Sequence, residues 1–131
     1  MRRLQRKTRA RGADRRRVRA ERSGRFAEMV ASLFLRAQLY RIHGARVKTP
    51  VGEIDLVAER FGTLVFVEVK ARRDNRQEEM ALLAVNRHRI ARAAQYYVSG
   101  NPGLAVRTMR FDVIFLAPFA WPRHVKGAFE S

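Results

Sequence analysis

The chain has no cysteine, which excludes disulfides, Cys-ligated zinc and a thiol nucleophile and fits an intracellular, cytoplasmic protein. Its three histidines, His43, His88 and His124, are scattered and make no metal-ligand spacing. No apolar run approaches the ~20 residues that a membrane-spanning helix needs, so no membrane partner is expected. The N-terminal residues are charged and lack an apolar stretch, which predicts no secretory signal peptide. Acids are scarce as well. Against 28 Lys and Arg stand 12 Asp and Glu, leaving a net charge of +16. That imbalance points to nucleic acid as a partner, ahead of an anionic membrane surface.

What remains is enough for one domain, since the chain has 131 residues and 47% of them are hydrophobic. The basic charge is uneven. Residues 1–22 carry 11 basic and 2 acidic residues, while the other 109 carry 17 and 10. With Leu4 and Val18 as its only sizeable apolar groups after Met1, the segment 1–22 reads as a disordered basic arm. It serves either to bind phosphates or as a solubilising leader with no further role. Residues 23–131 read as the folded domain.

Ser23 offers an N-cap for a helix running to about Tyr40, with Phe26, Val30, Leu33, Phe34 and Ala37 as its core stripe. Glu28 falls on the opposite side, in line with Leu35 and Leu39. A first-turn glutamate also favours the helix dipole, which is the plainer account of it. A weak strand is expected near residues 45–48. After a polar loop, Glu78 to Val85 reads as a short helix. Asn86 then caps a second one, Arg87 to Ser99, because a single helix would place Arg87 on its apolar face. Gly100-Asn101-Pro102-Gly103 stops it. Val106 to Leu116 is the last strong strand, with Asp112 and Arg110 on one face. The order helix, three strands, helices, strand predicts an α/β domain with one small mixed sheet flanked by helices.

The stretch 51–73, VGEIDLVAERFGTLVFVEVKARR, stands apart. It reads as two strands joined by a tight turn. Side chains alternate along a strand, so Ile54, Leu56 and Ala58 share one apolar face with Val65, Val67 and Val69. The other face holds Glu53, Asp55 and Val57, then Phe66, Glu68 and Lys70. An even-length loop at Phe61-Gly62 pairs Asp55 with Glu68 and Glu53 with Lys70. Two carboxylates with Cβ atoms ~5 Å apart destabilise a sheet unless something compensates. Mg2+ or Mn2+, which prefer hard oxygen donors, would do so. A lysine two residues beyond one ligand could orient an attacking water or stabilise developing negative charge. The plainer alternative is a cross-strand ion network of Glu53 with Lys70, with Asp55 bonded to a backbone or an arginine.

Asp55, then Glu68-x-Lys70 on the next strand, resembles the PD-(D/E)xK nuclease signature, with Ile54 where the leading Pro would stand. More text extends the likeness: Ala27-Glu28, GEIDLVA (52–58), VFVEVKAR (65–72), RIARAA (89–94) and RFDV (110–113). Together these resemble the YraN family, bacterial proteins taken to be endonucleases and related by fold to Holliday-junction resolvases and restriction-endonuclease-like domains. The likeness spans roughly Ser23 to Lys126. It implies Asp55 and Glu68 as metal ligands, Lys70 as the catalytic lysine and Glu28 as an acid assisting the metal through water. It also gives Glu53 a supporting role beside Lys70. Where the family often has Lys or Gln at the start of the later helix, this chain has Asn86.

These observations lead to an expected Mg2+- or Mn2+-dependent endonuclease of restriction-endonuclease-like fold. Its partner would be DNA, with branched or structured DNA implied by the resolvase likeness, which also admits a homodimer. Arg72, Arg73, Arg89 and Arg92 are the candidates for phosphate contacts, each with an ordinary solvated basic face as the alternative. Asp112 reads as a structural partner of Arg110 or another sheet arginine, with a further acid near the site as the alternative. Two other functions stay open: a non-catalytic nucleic-acid-binding module of the same fold, and a basic adaptor for acidic proteins.

Overall fold

Five strands form one sheet with a helix against each face. The computed structural model describes residues 24–71, 76–104, 107–117 and 119–129, so the arm 1–22, Arg72 and Arg73 lie outside the described residues. Helix α1 covers residues 24–37. Strands β1 (Arg41–Lys48), β2 (Glu53–Arg60) and β3 (Thr63–Ala71) follow, then helix α2 (Arg76–Ser99), a 3-10 turn, and strands β4 (Thr108–Leu116) and β5 (Arg123–Phe129). The strands lie side by side in chain order. All neighbours are antiparallel except β3 and β4, which are parallel because α2 carries the chain back along the sheet. The result is the expected α/β fold, consistent with a small restriction-endonuclease-like domain. Among the described residues, no helix is long and apolar enough to cross a membrane.

The central hairpin turns through Phe61 and Gly62, both with positive φ (50° and 79°). That is the backbone of a type I′ turn, whose twist matches the flanking strands. A two-residue turn fixes an even register, and Leu56 indeed pairs with Val67, Ala58 with Val65 and Arg60 with Thr63. Alternation then splits the sheet's apolar residues between two cores. Leu56, Ala58, Val65, Val67 and Ile114 pack with Ala31 and Leu35 of α1. Val57, Leu64, Phe66, Phe111 and Val113 pack with Ile90, Ala91, Ala93 and Ala94 of α2. Ile54 departs from the expected parity and joins the α2 core. The β2–β3 ladder ends at the Leu56–Val67 pair, so beyond it the strand is no longer bound to strict alternation against β3.

Other expectations are corrected. The buried stripe of α1 is Ala27, Ala31 and Leu35, with Phe26 and Leu33 63% and 59% exposed. The helix offers two adjacent apolar stripes at the same period, and the one built on alanines faces the sheet. Glu28 therefore borders the buried face instead of opposing it. Helix α2 runs unbroken from Arg76 to Ser99. No break is needed at Asn86, because the unbroken helix leaves Arg87 exposed while Ile90, Ala91, Ala93 and Ala94 are buried. Strand β1 is longer than expected, beginning at Arg41. A fifth strand also forms from residues that the sequence pattern left as a polar tail.

Candidate functional site

The four acids of interest converge where the β2–β3 ladder ends. One pair past Leu56–Val67, Asp55 and Glu68 would be opposite in the same register. There the Asp55 carboxylate takes over from the backbone, accepting the Val69 N–H at 2.9 Å. Glu53 lies at the mouth of β2, where Thr49 closes the β1–β2 turn through bonds of its hydroxyl with Val51 N–H, Gly52 N–H and Gly52 C=O. From α1, Glu28 reaches the same place. One carboxylate oxygen each of Glu28, Glu53 and Asp55 lies within 4.8 Å of the others. Glu68 hydrogen-bonds Asp55 from the β3 side. Glu53 faces the other acids, and no ion pair joins it to Lys70 among the described residues.

The electrostatics follow from that crowding. Burial, then the charge of Asp55, pushes Glu68 up to about 8, against an opposing pull from Lys70. Glu68 therefore holds a proton at neutral pH and donates it in a hydrogen bond to Asp55. Burial also raises Asp55, although the Val69 N–H, the Glu68 bond and Lys70 all pull the other way. Glu28 is raised by burial too, with Arg46 opposing and Asp55 and Glu53 adding to the rise. Three of the four acids are thus held in surroundings that resist their charge.

Of the cations, Lys70 acts on both Asp55 and Glu68, as its place two residues beyond Glu68 on β3 requires. Arg89 leaves α2 beside Gly52, where its side chain lies within van der Waals reach of that turn, and its charge acts on Glu68. Arg92 is exposed on α2. Sequence reasoning missed Arg46, whose Nε lies 2.8 Å from Glu28 Oε2. Arg46 has φ of 50° in the middle of β1, a left-handed conformation that costs a non-glycine residue about 1 kcal/mol or more. No pattern of neighbouring residues marks it. It is legible only from the position of Glu28.

The donor set fits a hard divalent cation. It is all oxygen and anionic, it gathers three carboxylates on two elements, and a single arginine pairs with one of them. Asp112, by contrast, is fully buried and lies within a network. Arg110 meets it with two bonds of 2.8 Å, His124 Nε2 with one of 2.6 Å, and the Gly127 N–H with one of 3.0 Å. That is the structural role expected of it, with His124 and Gly127 added as partners from β5.

Comparison with known proteins places these residues in context. The profile of a family described as "Uncharacterised protein family UPF0102" matches residues 27–116, a span that contains Glu28, Glu53, Asp55, Glu68, Lys70 and Asp112. A UPF0102 protein of Rhodopseudomonas palustris is 44% identical over 115 residues, 88% of each chain. One of Parvibaculum lavamentivorans is 43% identical over 111 residues, covering 85% of this chain and 84% of its own. One of a Caulobacter species is 43% identical over 109 residues, 83% of this chain and 78% of its own.

Proposed function

We propose that this chain, which belongs to the UPF0102 family, is an endonuclease that hydrolyses phosphodiester bonds of DNA with Mg2+ or Mn2+ as cofactor. The observation that carries the reading is the meeting of Glu28, Glu53 and Asp55 within 4.8 Å, with Glu68 hydrogen-bonded to Asp55 and Lys70 beside both. Acids gathered against their own repulsion, in a chain of net charge +16, are costly unless they serve a cation.

Glu28, Glu53 and Asp55 would hold the metal, and Glu68 would join them on giving up its proton. The cation supplies charge neutralisation and Lewis acidity at the phosphate. The Lys70 ammonium donates to the attacking water and to the phosphate oxygens as negative charge grows on them. Water adds to phosphorus and gives up a proton to solvent, the ester P–O bond breaks, and the departing oxygen takes up a proton from solvent. Arg89 and Arg92, with Arg72 and Arg73, hold the flanking phosphates and give the binding its salt dependence.

The test is cleavage of single-stranded, duplex, flap and four-way-junction DNA with Mg2+ and with Mn2+. Asp55→Ala and Lys70→Ala are each expected to lose at least ~100-fold in rate. Activity that survives in both variants sinks the site. A wild type that binds DNA but cuts none of the panel, with or without metal, replaces the nuclease by a binding module.

A further inference from the structure

The β4–β5 loop carries two aromatic side chains that nothing in the fold accounts for. Phe119 and Trp121 are 109% and 89% exposed, and neither has a ring partner among the described residues. Phe119 sits at φ of 59°, a conformation in which glycine or asparagine is usual and a bulky residue is rare. Trp121 precedes Pro122, whose ring restricts the tryptophan to extended backbone. Both rings are thus held out by a constrained backbone, at some cost in stability, and two large apolar groups exposed two residues apart on one loop point to an interaction site.

The sheet topology places this loop beside the acids. Lys70 is level with Phe115 in the parallel β3–β4 ladder, and Phe115 pairs with Arg123 at the start of β5. The loop therefore opens from the same end of the sheet as Glu53, Asp55 and Glu68. It lies between β4 and β5, about 10 Å from β3 at the strand spacing of a sheet. Arg123 at its exit is exposed, and no acid stands among described residues 117 and 119–123. Phe61 makes a useful contrast. It is 86% exposed, but it projects from the opposite end of the sheet and the Arg60 guanidinium stands 5.5 Å from its ring centre.

We infer that Phe119 and Trp121 form a stacking platform for unpaired bases of the DNA strand held at the acid cluster, so that the substrate is DNA with single-stranded nucleotides next to the bond to be cut. The inference rests on the nucleic-acid reading above. A base offers its face to a side chain only when it is out of the duplex stack, and aromatic rings accept any base. Arg123 supplies a cation for the adjoining phosphate. The two rings thus select for unpaired structure while leaving sequence unread.

The test needs no cleavage, so the fate of the nuclease reading does not decide it. The chain has one tryptophan, and its emission reports Trp121 alone. In EDTA, oligothymidylate is expected to quench that emission and a hairpin duplex of equal length is not. Phe119→Ala should weaken oligothymidylate binding by roughly 5- to 100-fold, and Trp121→Ala, followed by anisotropy of a labelled oligonucleotide, by a similar factor. Phe61→Ala should bind as wild type. Equal quenching by the duplex overturns the inference, as does unchanged binding in both loop variants or no binding of oligothymidylate at all. A fall in particle mass on Trp121→Ala, with DNA binding intact, would assign the rings to a protein interface instead. Quenching without metal-dependent cleavage would leave the platform standing and remove the nuclease. Cleavage without quenching would do the reverse.

Discussion

Asp112 on β4 and Glu68 on β3 are carboxylates on neighbouring strands of one sheet, both largely removed from water, and they are treated in opposite ways. At Asp112, burial is outweighed by hydrogen bonds from His124, Arg110 and the Gly127 N–H, which hold its carboxyl down at about 2. Arg110 is in turn anchored by Tyr40, whose hydroxyl accepts a bond of 2.8 Å, while Arg60 stands 4.3 Å over the tyrosine ring. At Glu68, burial and the Asp55 charge win, and the carboxyl rises to about 8. The first cluster supplies its own counter-charge, with Arg110, His124 and the Gly127 N–H all directed at Asp112. The second gathers acids faster than it gathers cations, and in the proposed function a divalent cation supplies the missing charge. Burial alone therefore does not decide the charge of an acid; what surrounds it does.

The comparison is broken most severely at Asp112. Asp112→Asn takes the charge from the fully buried carboxylate on which the partly exposed Arg110, His124 and the Gly127 N–H converge, and should cost about 2–3 kcal/mol, a fall in Tm of roughly 10 °C by thermal melting. If Asp112→Asn melts with the wild type, the two clusters do not differ as described.

A second prediction concerns pH. The folded-state pKa of Glu68, about 8, lies above its ordinary 4.5, so between those values the folded protein holds a proton that the unfolded chain releases. Its contribution to stability is whole below about pH 4.5 and is lost as the pH rises through 8. Asp112 behaves in the reverse sense: its contribution is present above 3.8 and is lost only as the pH falls through about 2. Metal-free wild type should thus lose stability relative to Glu68→Gln as the pH is raised from about 5 to about 8, measured by urea unfolding at each pH. A constant difference between the two proteins would remove Glu68 as the proton carrier.

The smallest effect is expected at Arg46. Its pair with Glu28 is about one third exposed on the arginine side, and Arg46→Ala should change stability by no more than ~1 kcal/mol. A larger loss would make the strained β1 residue a part of the fold and not only a partner of Glu28.

Much of this was legible before any coordinates. The alternation in residues 51–73 and the two-residue turn specify the hairpin and its register, because a shift of one residue would move every side chain of a strand to the other face of the sheet. Asp55, Glu68 and Lys70 follow from that register, and Glu28 from the family likeness. What could not be read is what tertiary packing decides. The α1 face was misassigned because large apolar residues outvote alanines in a periodicity argument, while the sheet accepts the stripe that lets the helix come close. The break expected in α2 rests on Arg87 falling on the apolar face, yet the continuous helix leaves Arg87 exposed. Strand β5 has no alternating pattern of its own; it is held in part by His124 and the Gly127 N–H reaching Asp112. Arg46 has no signal without Glu28 in place.

The most direct measurement is calorimetric titration of Mn2+ into the metal-free protein at neutral pH in buffers of differing ionisation enthalpy. The account predicts binding that releases a proton, because Glu68 must give one up, with release lost in Glu68→Gln and binding itself lost in Asp55→Asn. No heat of binding in the wild type, or equal binding by Asp55→Asn, would contradict it.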